Sequence, residues 1–333
     1  MDSSLPLLIL IIIAALGFGF TNGLNDAANA IATAIGSRVL SPRSAIILST
    51  ICNLAGTLSG ALLGAYVAKT IGKGIVSPEE LTMGTVVAGV AAAIIWVATA
   101  TYYGMPLSVS HSLVAGMMGA GLATVGVDAI GWGVLVKVLM AVIFAPLLGL
   151  VGGFGIMTAI MWIFRDSAPD KVNRIFSNVQ ILATGFAAYA HGKNDGQMPI
   201  GIIALGLLLY SGGEFHIPLW VIFASAASVA LGITLGGWRV IRTVGTRITT
   251  LRPAQGSAAQ VSAAAVIEAA SNLGIPVSTT QCISGSIMGV GATKRLSAVR
   301  WGVAGNIVTA WILTIPVCAI LGWILGKILG NLG

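Results

Sequence analysis

The 333-residue chain is 56% hydrophobic and only 8% charged, with 44 glycines, a mean hydropathy of +0.97 and a net charge of +7. A soluble domain carries roughly 25% charged residues and a disordered chain pairs low hydrophobicity with high charge, so both classes are excluded. What remains is an integral membrane protein with most of its length in lipid. Its basic residues lie in loops between apolar spans, which fits a membrane's charge bias and gives no nucleic-acid footprint.

In chain order, residues 5–37 form one apolar stretch, predicted to break near Thr21–Asn25, and spans 44–68 and 82–103 follow. A Gly-rich segment, 106–125, opens with Pro106, and span 132–164 ends the first half. The second half begins with another long stretch, 177–210, predicted to break around Gly192–Asp195. Then come spans 217–237 and 258–274, a segment 276–292 opening with Pro276, and span 301–330. A straight crossing needs about 20 residues, so the two broken stretches are long for one span and the two Pro-led segments are short. The N-terminus has no basic region before its apolar run and reads as a span rather than a cleaved signal. Cys52, Cys282 and Cys318 have no metal-ligand spacing and read as packing residues.

Three blocks recur at nearly one offset, 169 or 170 residues. Asn22-Gly23-Leu24-Asn25-Asp26 matches His191-Gly192-Lys193-Asn194-Asp195. Gly104-Met105-Pro106-Leu107-Ser108-Val109-Ser110-His111 matches Gly274-Ile275-Pro276-Val277-Ser278-Thr279-Thr280-Gln281, and Trp132-Gly133-Val134 matches Trp301-Gly302-Val303. Collinear blocks at nearly one offset indicate an internal duplication, with repeats at 1–165 and 166–333. Counting crossings from the densest basic loop puts Arg38 and Arg43, Arg165, Lys171 and Arg174, Arg239, Arg242, Arg247 and Arg252, and Lys294, Arg295 and Arg300 on one side. Only Lys69, Lys73 and Lys327 fall on the other. Loops 38–43, 165–176, 239–257 and 293–300 are therefore expected in the cytoplasm of a plasma-membrane protein. Each half then crosses an odd number of times and the second is inverted relative to the first. The expected fold is an all-α polytopic membrane protein of two inverted-topology repeats, with broken helices, Pro-led half-helices and about 10–12 transmembrane elements around a midplane site.

Asp26 and Asp195 are carboxylates in apolar surroundings. Each costs about 2.5–3.5 kcal/mol at a bilayer centre, so each needs a partner or a task. Beside amide oxygens they make a hard-ligand nest suited to sodium, which gives Asn22, Asn25, Asp26, Asn194 and Asp195 as expected cation ligands. The alternative role is structural, with Lys193 neutralising Asp195. In the Pro-led segments, hydroxyl residues follow a proline at a helix start, where free backbone N–H groups and the positive helix end gather. Ser108, Val109, Ser110, His111, Ser278, Thr279, Thr280 and Gln281, with Asn25 and Asn194, are the expected anion ligands. Ordinary N-capping by Ser and Thr is the alternative at either copy alone.

Gly23-Leu24-Asn25-Asp26-Ala27-Ala28-Asn29-Ala30, its second version Ala190-His191-Gly192-Lys193-Asn194-Asp195, and the two Pro-led hydroxyl segments together resemble the signature of the inorganic phosphate transporter (PiT) family, over essentially the whole chain. The resemblance implies secondary transport of inorganic phosphate driven by sodium or protons, through an inverted-repeat fold that is dimeric, with no cofactor beyond the coupling ions. Sodium is the expected ion; protons, sulfate as cargo, and an anion channel are the alternatives. The two half-sites differ: Gln281 replaces the family's frequent His, Ser110 its frequent Thr, and Asp195 is followed by Gly196-Gln197-Met198-Pro199. His111 reads equally as an anion donor or a packed residue. Asn29, Asn53, Gln260 and Asn272 read as helix–helix hydrogen bonds, and Glu268 is left without a role. No H-E-x-x-H or nucleophile–base pattern appears, so no enzyme is expected.

Overall fold

The computed structural model describes residues 4–128 and 130–332. Among these are thirteen α-helices and no strand: α1 Ser4–Gly36, α2 Pro42–Leu62, α3 Tyr66–Gly74, α4 Met83–Tyr103, α5 Val109–Thr124, α6 Trp132–Ile163, α7 Pro169–Asp195, α8 Gln197–Ser211, α9 Leu219–Leu235, α10 Trp238–Arg242, α11 Pro253–Asn272, α12 Thr279–Ala292 and α13 Trp301–Leu329. Five of them (α1, α2, α4, α6 and α13) are long and apolar enough to cross a membrane, and α9 with the segment through Arg247 forms a further pair bent by 62°.

The interruption expected at Thr21–Asn25 is absent, since α1 is one helix of 33 residues. An intact helix satisfies its own backbone in lipid, and the Asn and Asp side chains hang from it without unwinding it. The second-half interruption is present but sits at Gly196, between α7 and α8. Its cause is Pro199, which has no N–H to give the carbonyl of Asp195 and whose ring crowds that carbonyl. The corresponding first-half residue is Ala30, so only one of the two stretches is broken.

The two Pro-led segments begin alike. Gly104 (φ 70°) and Gly274 (φ 68°) end α4 and α11 in the left-handed conformation that glycine adopts freely. An extended stretch then leads to α5 and α12. At 16 and 14 residues these are about 24 and 21 Å long, too short to span a hydrocarbon core of about 30 Å. They are also the most enclosed helices; only Ala292 of α12 is not buried.

Each half lends its short helix to the other. α5 packs on α13 and α12 on α6; α1 packs on α9 and α7 on α2; α4 with α5 is mirrored by α11 with α12. Helix starts in the two halves keep the sequence offset, as in α5 and α12, α6 and α13, or α4 and α11. The glycines of the repeated Asp motif explain the tight crossings. Gly23 lies against the backbone of Val229, and Gly192 against that of Asn53, so a side chain at either would meet main chain.

Candidate functional site

α1 and α7 bring Asp26 and Asp195 together at the start of α12. Asp26, Asp195 and His191 each offer a ligand atom within 4.8 Å of the others, and all three are buried. Thr280 donates its hydroxyl to Asp26 Oδ1 at 3.0 Å. The Thr279 hydroxyl lies 3.3 Å from Oδ2 of both Asp26 and Asp195 and so bridges the two halves. Asn29, one turn beyond Asp26 on α1, donates to both threonines at 2.9 Å. His191 Nε2 lies 3.3 Å from Asp195 and 3.7 Å from Asp26, while its Nδ1 meets Asn53 on α2 at 2.6 Å.

The remaining expected residues divide by role. Asn194 holds the extended approach to α12: its amide donates to Ser271 (3.0 Å) and to the Ile275 carbonyl (3.1 Å), and its oxygen accepts from Val277 N–H (3.3 Å). Asn25 donates to Thr101 at 2.7 Å. Ser108 and Ser278 cap α5 and α12, accepting from His111 and Gln281 N–H, both at 3.2 Å. Ser110 donates to the Val277 carbonyl at 3.0 Å, which sets the two helix starts face to face. Val109 is buried in the first turn of α5. His111 and Gln281 are buried with no hydrogen-bond partner for their side-chain polar atoms. Each lines a largely apolar recess shared with α6 and α13, His111 with Leu135 and Val138 and Gln281 with Pro146 and Trp311.

Lys193 does not neutralise Asp195. It pairs with Glu268 on α11 and donates to Asn272 at 2.8 Å. Two residues apart on a helix, Lys193 and Asp195 face opposite ways. The readings of Asn53, Gln260 and Asn272 as helix–helix contacts hold, for Gln260 through Thr184 and the Ala30 carbonyl. Asn29, expected as a helix–helix hydrogen bond, makes one to α12 and by it joins the site. His191, placed in sequence only as the counterpart of Asn22, joins it too, each lying one helical turn from a buried Asp on the same face.

The donor set is oxygen-rich and incompletely used. Asp195 Oδ1, Asn29 Oδ1, Asn25 Oδ1 and both side-chain atoms of Asn22 are buried without a partner. Buried polar groups rarely stay unpaired, and two carboxylates this close in a low dielectric are costly without a cation. Carboxylate and amide oxygens are hard ligands and suit a hard cation. Beside it the starts of α5 and α12 meet through the Ser110–Val277 bond, and a helix start, with its exposed N–H groups and positive dipole end, is the kind of place where oxyanions bind.

A family model described as the phosphate transporter family matches residues 22–322. The chain is 42% identical to a protein of Rhizobium meliloti (strain 1021) named "Probable low-affinity inorganic phosphate transporter", over 96% of each chain. It is also 42% identical to a Bacillus subtilis (strain 168) protein of the same name, over 97% of each. A solved structure described as "The sodium-dependent phosphate transporter" superposes with a TM-score of 0.86 at 28% identity, covering 98% of this chain and 99% of that one. The repeated aspartate motif, the paired short helices and these matches agree: the chain belongs to the phosphate transporter family, as a multi-pass membrane transporter and not an enzyme.

Proposed function

We propose that the chain carries inorganic phosphate across the plasma membrane by symport with sodium. The two halves, as inverted repeats, rock about a shared midplane site to alternate access. The observation that carries this reading is the buried Asp26–Asp195 pair, drawn together across the repeats and bridged by Thr279 at the mouth of α12. Sodium at Asp26, Asp195, Thr279, Thr280 and Asn29 offsets the charge of the aspartates and lowers the cost of bringing an anion beside them. Phosphate then takes the N–H groups and hydroxyls at the starts of α5 and α12. Ser108 and Ser278 act there as caps that keep the helix starts in register, and Ser110 reaches the neighbouring segment. Asn25 and Asn194 support the site from behind, with Asn22 completing the cation shell.

The solved relative's description as sodium-dependent supports the choice of ion. One observation favours protons instead: His191 touches both aspartates, and a protonated imidazole there would serve as the counter-charge. Uptake of radiolabelled phosphate into proteoliposomes separates the readings. Saturable uptake that follows an imposed sodium gradient, persists without a pH gradient and resists excess sulfate is expected. Uptake driven by the pH gradient alone would overturn sodium coupling.

A further inference from the structure

Away from the aspartate pair, at the end of the molecule carrying most of the basic loops, lies a cavity of about 290 Å³. One wall is apolar and belongs to the last turns of α6: Met157, Ile160, Met161 and Phe164. The facing wall carries Arg252 and Lys294, and no carboxylate lines the cavity. Among the described residues neither cation forms a salt bridge. Burial and the neighbouring Arg252 charge hold the Lys294 ammonium below its ordinary pKa, so the two like charges oppose each other at the cavity they both line. The helix starts at Pro169 and Pro253 also open onto this space, and the first has no side-chain cap. Asp170, in the first turn of α7, lies outside the lining.

We propose that this cavity seats an anionic phospholipid, its headgroup phosphate between Arg252 and Lys294 and the upper part of one acyl chain along α6. The pairing follows from the two walls. α6 is a membrane-crossing helix that ends at Ile163, so the cavity sits where its apolar surface gives way to polar loops. A free oxyanion would use the cations but leave Met157, Ile160 and Phe164 facing it to no purpose. A zwitterionic lipid brings its own positive charge to a site that already has two. The cavity shares no lining residue with the Asp26–Asp195 site, and the proposal does not depend on which ion drives uptake.

The test uses the full chain purified in detergent, with bound lipid counted by native mass spectrometry. Phosphatidylglycerol is expected to be retained over phosphatidylcholine and not to be displaced by inorganic phosphate. Replacing both cations (Arg252→Gln with Lys294→Gln) should weaken phosphatidylglycerol binding about 25-fold, at about fivefold per cation. The matched pair Arg43→Gln with Lys171→Gln, which removes the same charge from neighbouring loops, should leave binding unchanged. Equal retention of the two lipids, displacement by phosphate alone, or an equal loss in the matched pair would each overturn the proposal. The lipid comparison needs only the wild-type chain and so survives any failure of the variants to fold.

Discussion

Thr280 gives its only hydroxyl hydrogen to Asp26, and Thr279 shares one between two carboxylates, so neither side chain is merely a cap. Thr280→Val keeps the shape but strips Asp26 of a buried hydrogen bond, a loss of about 1–3 kcal/mol. The half-saturating sodium concentration for phosphate uptake should rise about tenfold, and stability in thermal unfolding should fall by an amount matching that loss; an unchanged sodium dependence would remove Thr280 from the cation shell. At this scale the sequence was informative where chemistry was costly. Asp26 and Asp195 stand out because a carboxylate in an apolar run demands an explanation. Asn29 and His191 do not, because a single polar group in mid-span looks the same whether its partner is a neighbouring helix or a ligand. Lys193 misled for a geometric reason, since closeness in sequence put it on the face away from Asp195 and toward Glu268.

The interrupted stretches show how one residue decides an element. Both long apolar runs carry the same Gly-x-Asn-Asp motif, yet only the one followed by Pro199 breaks; glycine and asparagine alone do not unwind a helix that must bond its own backbone in lipid. The glycine's task is closeness. Gly192 sits on the main chain of Asn53, where α7 crosses α2, and behind it stands the Asn53–His191 contact of the site. Gly192→Val should therefore part these helices, lowering stability by about 1–3 kcal/mol in detergent thermal unfolding and impairing uptake together; a variant of wild-type stability would show that the crossing tolerates bulk. The short helices α3 and α10 were invisible in sequence. At nine and five residues they are too brief for a periodic pattern, and tertiary anchors define them: Thr70 binds the Gly274 carbonyl at 2.7 Å and Thr243 that of Gly104 at 3.0 Å.

Across the whole molecule, the repeat offset predicted which helices correspond, and the contacts show how they interlock, each half supplying the short helix that the other encloses. That exchange could not be read from the chain, because an offset gives correspondence but not which surfaces meet. The basic loops do assemble at one end: Arg300 donates to the carbonyls of Thr246 (3.1 Å) and Arg247 (3.3 Å), and Ser37 bonds Gln180 (2.8 Å). Single cysteines at Arg43 and Arg247 should accordingly label with an impermeant thiol reagent only from the cytoplasmic side, in a chain freed of its three native cysteines; labelling from opposite sides would refute the topology.

The central claim is that two aspartates, one from each repeat, hold the coupling cation. Binding of radioactive sodium to the purified protein tests it directly. The wild-type chain should bind sodium saturably and more tightly with phosphate present, whereas Asp26→Asn and Asp195→Asn should each weaken binding about 30-fold or more while the protein stays folded. Unaltered sodium binding in either variant would contradict the account.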